Sequence, residues 1–427
     1  MTALVSILNK KAAVMAADSA VTVTNGEMTK IFNTETKLFR LSNHHPVGIM
    51  FYGNTEYMGM PWGVLIKLYR DKRKDKSFDT IKEYANDFLD FLKAEKRCNT
   101  EDDQMRYFVN EMTQVYDKIQ ANLTDRVEKA EQIEENANVD HNRIVGQCFK
   151  ELLQEAKQVY SDSGSNSGFE DYSIKRLRSY GKERFDELVD LCKEDGMPGL
   201  REEWEELFFD YFRSQVFYRE TGLVFVGYGD EDLYPSTVTV CISGTFDDRL
   251  RYYFDEDNSD DITMTNSASI IPFAQCDTML SLMRGIHPLM LDTVIEKHEA
   301  SLEYSKAKML EAAEAAGLTE LQLAKLNDAT NVDEDVENYR QELKSFYRNT
   351  FIDGVVDAVE SFNVEDRVDM AESFIAITNL QRHISSSEES VGGPVDVAVI
   401  TKSEGFVWVK HKQWFQQEMN PQMMERR

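Results

Sequence analysis

Thr2 holds two groups suited to acyl transfer: a secondary hydroxyl and, once Met1 is removed, a free α-amine on the same residue. An α-amine titrates near ~7.7–8.0, so at neutral pH it accepts the hydroxyl proton and one residue supplies both nucleophile and base. The residue that follows, Ala3, is small. Other chemistry-bearing residues are less pointedly arranged. The five cysteines, Cys98, Cys148, Cys192, Cys241 and Cys276, are widely spaced and form no CxxC pair, so neither a zinc site nor a disulfide framework is expected. The stretch DEDNSDD, Asp255 to Asp261, offers oxygens to calcium but lacks the glycine and closing glutamate of the EF-hand spacing. A solvated acidic loop is expected there, and no cofactor or metal anywhere.

The elements that must hold Thr2 in place begin at once. TALVSIL and AAVMAADSAVTV, the second from Ala12, read as a pair of strands joined by Lys10-Lys11, and Asn25-Gly26 is a strong turn dipeptide. KLFRLS from Lys37 and PVGIMFYG from Pro46 complete four strands, expected in one sheet layer. Helical spacing follows from Glu56 to about residue 220, where Tyr107, Phe108, Met112, Tyr116, Leu207, Phe208, Tyr211 and Phe212 recur as core positions. Within it SDSGSNSG, Ser161 to Gly168, reads as a flexible Ser/Gly-rich loop. Strands return at GLVFVGY, STVTVCIS and Arg249 to Phe254, and a helix is expected to start near Pro272, a residue suited to a first helical turn. A charged helical block from Pro288 to Glu360 has the composition of a helical hairpin or coiled coil. A helix from Val364 to His383 and two closing strands, VDVAVIT and GFVWVKH, end the pattern. Strands, helices, strands, helices, strands in that order favour a layered α/β architecture.

Composition narrows the class. A chain of 427 residues, 42% of them hydrophobic, buries a large core. Its 76 acidic against 48 basic side chains give a net charge of −28, which argues against nucleic acid and against anionic membranes as partners. The opening residues lack the pattern of a signal peptide and no apolar run reaches membrane-spanning length, so a cytoplasmic location is expected.

Several segments together resemble a known family. TALVSILNKKAAVMAADSAVT is similar to the opening of proteasome β-subunits and HslV-type peptidases, with Asp18 sixteen residues after Thr2. TKLFRLSNHHPVGIMFYGN resembles the next strand pair and places Lys37 on the family's lysine, with Lys30 in TKIF as its rival. NSASIIPFAQ resembles the turn that opens a central helix and places Ser269 on the family's serine. VGGPVDVAVITKSEGFVWV is similar to the closing strand pair. The likeness covers residues 2–95, 220–285 and 364–415 and departs from the family in two places. Met50 stands where a glycine is usual. Glu388 stands where an aspartate is usual and Val391 where a serine is, so Ser390 serves only in a shifted register.

The resemblance implies a four-layer αββα sandwich of the N-terminal-nucleophile (Ntn) hydrolase class with helical insertions. Its core parts would be 1–95, 221–287 and 363–427, and the insertions 96–220 and 288–362. It implies a threonine-type peptidase acting through an acyl-enzyme on Thr2 after loss of Met1. Lys37, as a cation, would lower the pKa of the hydroxyl, Asp18 would hold Lys37, and Ser269 would bond the α-amine. The backbone N–H at Met50 would stabilise the oxyanion, with Glu388 and Ser390 as accessory groups. It further implies a homo-oligomer, a peptide or protein substrate, and an ATPase or regulatory partner. The other readings are a catalytically inactive assembly subunit of the same fold and an amidase acting on a small amide.

Overall fold

Apolar runs from opposite ends of the chain form one sheet. The computed structural model describes residues 2–25, 28–32, 35–133, 141–384 and 392–412. In chain order the strands are β1 (Ala3–Asn9), β2 (Ala12–Ala17), β3 (Val21–Asn25), β4 (Met28–Phe32), β5 (Leu38–Arg40), β6 (Val47–Gly53), β7 (Glu56–Tyr57), β8 (Met60–Pro61), β9 (Thr221–Gly227), β10 (Ser236–Phe246), β11 (Arg249–Asp261), β12 (Ala268–Ala274), β13 (Asp396–Thr401) and β14 (Gly405–Lys410). The chain divides into two compact units, one made of Met1–Leu38, Leu233–Ser236 and Asp261–Arg427, the other of Phe39–Asp232 and Thr237–Asp260.

The first unit is built on the sheet β12-β1-β2-β13-β14. All four of its strand pairings are antiparallel. Alternate residues define its faces. Ala3, Val5 and Ile7 of β1 and Ala12, Val14 and Ala16 of β2 meet Met279 and Met283 of the helix Asp277–Arg284 and Ala371, Phe374 and Ile375 of the helix Val364–Ile384. The opposite positions Leu4, Leu8 and Met15 are buried too, which is why β1 and β2 read as unbroken apolar runs. The charged block forms the helices Pro288–Ala315, Glu320–Ala329 and Val332–Tyr347, with Ile295, Val332 and Val336 as a small core of their own.

The second unit is built on the sheet β11-β10-β9-β6-β5, in which β6 and β9 run antiparallel. Ile49, Phe51, Leu223 and Phe225 pack against Trp62 and Leu65 of the helix Trp62–Arg73 and Phe88 of the helix Ile81–Ala94. A second core lies among the helices Glu101–Ile133, His141–Asp162, Lys182–Glu194 and Arg201–Arg213, where Phe108, Met112, Tyr116, Leu207, Phe208, Tyr211 and Phe212 fill the centre.

The fold is thus mixed α/β with antiparallel sheets, and it corrects five local expectations. The four N-terminal strands do not share a sheet: β1 and β2 belong to one, β5 and β6 to the other, and β3 and β4 pair by themselves. The second strand stops at Ala17 because the Asp18 carboxylate takes up the backbone N–H of Ala20, turning the chain there. SDSGSNSG is an ordered crossing: buried Asn166 donates to the carbonyls of Phe212 (2.7 Å) and Ser214 (3.2 Å). DEDNSDD lies within β11, the edge strand of its sheet, where like charges deter pairing with another chain. Finally, Pro272 lies inside β12, opposite Val5, and the helix starts at Asp277. Proline is tolerated there because β12 is an edge strand and its missing N–H breaks no ladder.

Candidate active site

Strand pairing in the first unit determines what surrounds Thr2. Its carbonyl accepts a hydrogen bond from the Gln275 N–H at 3.0 Å, and the next residue, Ala3, stands opposite Ala274. Ala274 has a positive φ of 61°, which ends β12 and turns the chain toward the helix at Asp277. On the other side Asp18 follows β2 directly. Its N–H donates to the Ala3 carbonyl (3.0 Å), and its Oδ1 accepts from the Ala3 N–H (3.0 Å). Oδ2 accepts from the N–H groups of Ala20 (3.2 Å) and Gly392 (3.3 Å).

Lys37, just before β5, reaches into this arrangement. Its Nζ is 2.8 Å from Thr2 Oγ1, 2.8 Å from Asp18 Oδ1, and also donates to the Ala20 carbonyl. An ammonium has three donors, and these three acceptors use all of them. Thr2, Asp18 and Lys37 are 6%, 0% and 1% exposed, so the contacts act in a medium poorer in water than the surface. Burial pushes the Lys37 pKa below the usual lysine value, Asp18 opposes that, Lys412 adds to the lowering and Glu35 resists it.

Around this triplet runs a second ring of contacts. Ser19 Oγ donates to the Pro394 carbonyl (2.6 Å), and the Glu35 N–H donates to the Ser19 carbonyl (3.2 Å). Asp396, the first residue of β13, accepts from the Lys412 Nζ and N–H, each at 2.8 Å, and lies 3.0 Å from His411 Nδ1. Burial raises the Asp396 pKa, but the hydrogen bonds from His411 and Lys412 outweigh it and hold the carboxyl below its usual range.

Ser269 is opposite Leu8 at the far end of β12, five residues from Ala274, or roughly 16 Å at the usual rise per strand residue. It cannot bond the Thr2 amine; the error in register comes from reading Pro272 as a helix start. The turn beside Thr2 is instead Gln275-Cys276. Met50 is buried in the middle of β6, opposite Val224, in the second unit. Lys30 pairs with Val23 on β4. Glu388 and Ser390 lie outside the described residues. Gln275, Ser19, Asp396 and Lys412 were not expected. Ser19 had its adjacency to Asp18 as a signal, and Lys412 had none.

Among the described residues no group of three His, Cys, Asp or Glu is placed to hold a metal ion. No described helix is long and apolar enough to cross a membrane.

No family model and no curated protein matches the chain. Among solved structures it is similar to an Anbu (Gly-1) mutant from Hyphomicrobium sp. strain MC1, at 8% identity and a TM-score of 0.29, over 100% of this chain and 94% of that one. The assignment to proteasome β-subunits and HslV-type peptidases is therefore corrected. The short motifs match one at a time, but no family model takes in the chain, and it is not placed in that family.

Proposed function

We propose that this protein is a threonine-type Ntn hydrolase that cleaves peptide bonds through an acyl-enzyme on Thr2 after removal of Met1. The buried Lys37 ammonium, 2.8 Å from both Thr2 Oγ1 and Asp18 Oδ1, carries this reading. Here the cation rests on the oxygen that would become the nucleophile.

In the proposed reaction the α-amine of Thr2 takes the hydroxyl proton as Oγ1 attacks the substrate carbonyl carbon. Lys37 donates to Oγ1 throughout and stabilises the negative charge that develops on it. Asp18, 2.8 Å away, offsets the buried charge of Lys37. Collapse of the tetrahedral intermediate breaks the C–N bond, and the ammonium formed on Thr2 returns its proton to the leaving amine. Water then attacks the ester by the same route, releasing the acid and restoring the Thr2 hydroxyl.

Intact-mass measurement of the purified protein, with and without a β-lactone or epoxyketone probe, tests this directly. Loss of Met1 and a single adduct are expected, the adduct disappearing in Thr2→Ala. Retained Met1 with no adduct overturns the reading and favours an inactive assembly subunit. An adduct that survives in Thr2→Ala moves the nucleophile elsewhere.

A further inference from the structure

Lys412 lies two residues beyond β14, and its side chain is only 11% exposed. Its Nζ donates to Ser19 Oγ (2.7 Å), to Asp396 Oδ2 (2.8 Å) and to the Glu35 carbonyl. As with Lys37, three acceptors occupy the three donors of an ammonium. Each acceptor belongs to a different segment. Ser19 adjoins Asp18, Glu35 is two residues before Lys37, and Asp396 opens β13, the strand that pairs with β2. Glu35 is held from both sides, because its own N–H donates to the Ser19 carbonyl. Asp396 is 1% exposed and is itself fixed by His411 and by the Lys412 N–H. Nothing in the proposed reaction uses Lys412, yet this nearly buried cation ties together the two segments that deliver Asp18 and Lys37.

We propose that Lys412 is a positioning residue that, through Ser19, Glu35 and Asp396, sets the Lys37 ammonium between Asp18 and Thr2. This rests on the reading of Thr2 as nucleophile for its kinetic consequence, but not for the geometry. It also has an electrostatic side. The charged groups that act on Lys37 are Asp18, Glu35 and Lys412, and Lys412 is the cation among them. A fixed positive charge eases proton loss from Lys37, so removing it makes Lys37 hold its proton to higher pH.

The test compares the full-length protein with Lys412→Met, which keeps an unbranched stem as far as Cε but has no donor, and Lys412→Arg, which restores the charge. Two readouts are taken: the rate of β-lactone labelling of Thr2 across pH, and the titration of Lys37 Nζ by NMR in protein labelled with 15N-lysine. In Lys412→Met a tenfold or greater fall in labelling rate is expected, with the probe's saturation constant unchanged. The alkaline limb of the profile and the Lys37 titration both move to higher pH. Lys412→Arg returns both toward their original positions. Ser19→Ala, which removes a single acceptor, gives a smaller change in the same direction and serves if Lys412→Met fails to fold. An unmoved Lys37 titration overturns the proposal, even if the variant is less stable. If the unaltered protein takes no label, the reading of Thr2 fails on its own and the NMR measurement still decides the role of Lys412.

Discussion

Lys37 and Asp18 form a buried ion pair, and at such sites breaking the pair is far more damaging than never having made it. Asp18→Asn leaves the Lys37 ammonium without its counter-charge and puts an amide where four donors converge. We expect a loss of about 3–5 kcal/mol, the usual result of unpairing a buried charge, read from urea denaturation. Labelling at Thr2 should be lost as well. The pH dependence follows from the lowered pKa of Lys37. Between its folded value and the ordinary ~10.4, the unfolded chain holds the proton more firmly than the folded one. Stability from this group therefore rises as pH climbs through that window, and Lys37→Met removes the rise. Denaturation curves of both proteins from neutral pH to pH 10 would reveal a failure of that difference. At this scale the meeting of Thr2, Asp18 and Lys37 is legible only through the motifs around them, TALVSILNKKAAVMAADSAVT and TKLFRLSNHHPVGIMFYGN, and not from any one of the three residues. Lys412 is not legible, because its partners are set by pairing between β2 and β13, and no local pattern encodes that.

Both terminal hairpins were visible as apolar runs, because both faces of β1 and β2 are buried. Proline was misleading: Pro272 suits a first helical turn as well as an edge strand, and only knowledge of the sheet order separates the two. Two predictions belong here. Gly53 closes β6 with φ +84°, and a Cβ there would meet the Glu220 carbonyl oxygen at 2.2 Å. Gly53→Ala should cost at least about 1–3 kcal/mol of backbone strain, measured by chemical denaturation; an unchanged midpoint would contradict this placement. Asp396 anchors the segment after β14 through a carboxyl held below its usual range. Its contribution is complete above the unfolded value of ~3.9 and is lost as pH falls through the lower folded one. Asp396→Asn should therefore flatten the acid side of the stability curve, as denaturation midpoints below neutral pH would show.

For the molecule as a whole, charge matters more than any single contact. A net charge of −28 repels itself in the folded state. Salt shortens the range of that repulsion from ~30 Å at 0.01 M to ~8 Å at 0.15 M. The melting temperature should rise with sodium chloride over this interval, whereas the loss caused by Asp18→Asn, a buried change, should hardly vary with salt. A melting temperature that fell with salt would mean that surface ion pairs outweigh the repulsion. The broad class, α/β with alternating blocks of strand and helix, was plain from periodicity. The division into two units was not, because it depends on which sheet each N-terminal strand joins.

The Asp18 carboxylate collects donors from Ala3, Ala20, Lys37 and Gly392, and the last of these is 374 residues away. Synthesis therefore imposes a delay. At about 5–20 residues per second, roughly 20–75 s pass between the emergence of Asp18 and the arrival of Gly392. β13, the neighbour of β2, and Lys412, whose Nζ donates to the Glu35 carbonyl, arrive later still. A nascent chain thus presents Asp18 early, but completes the ring of donors around it only when almost everything else has been made.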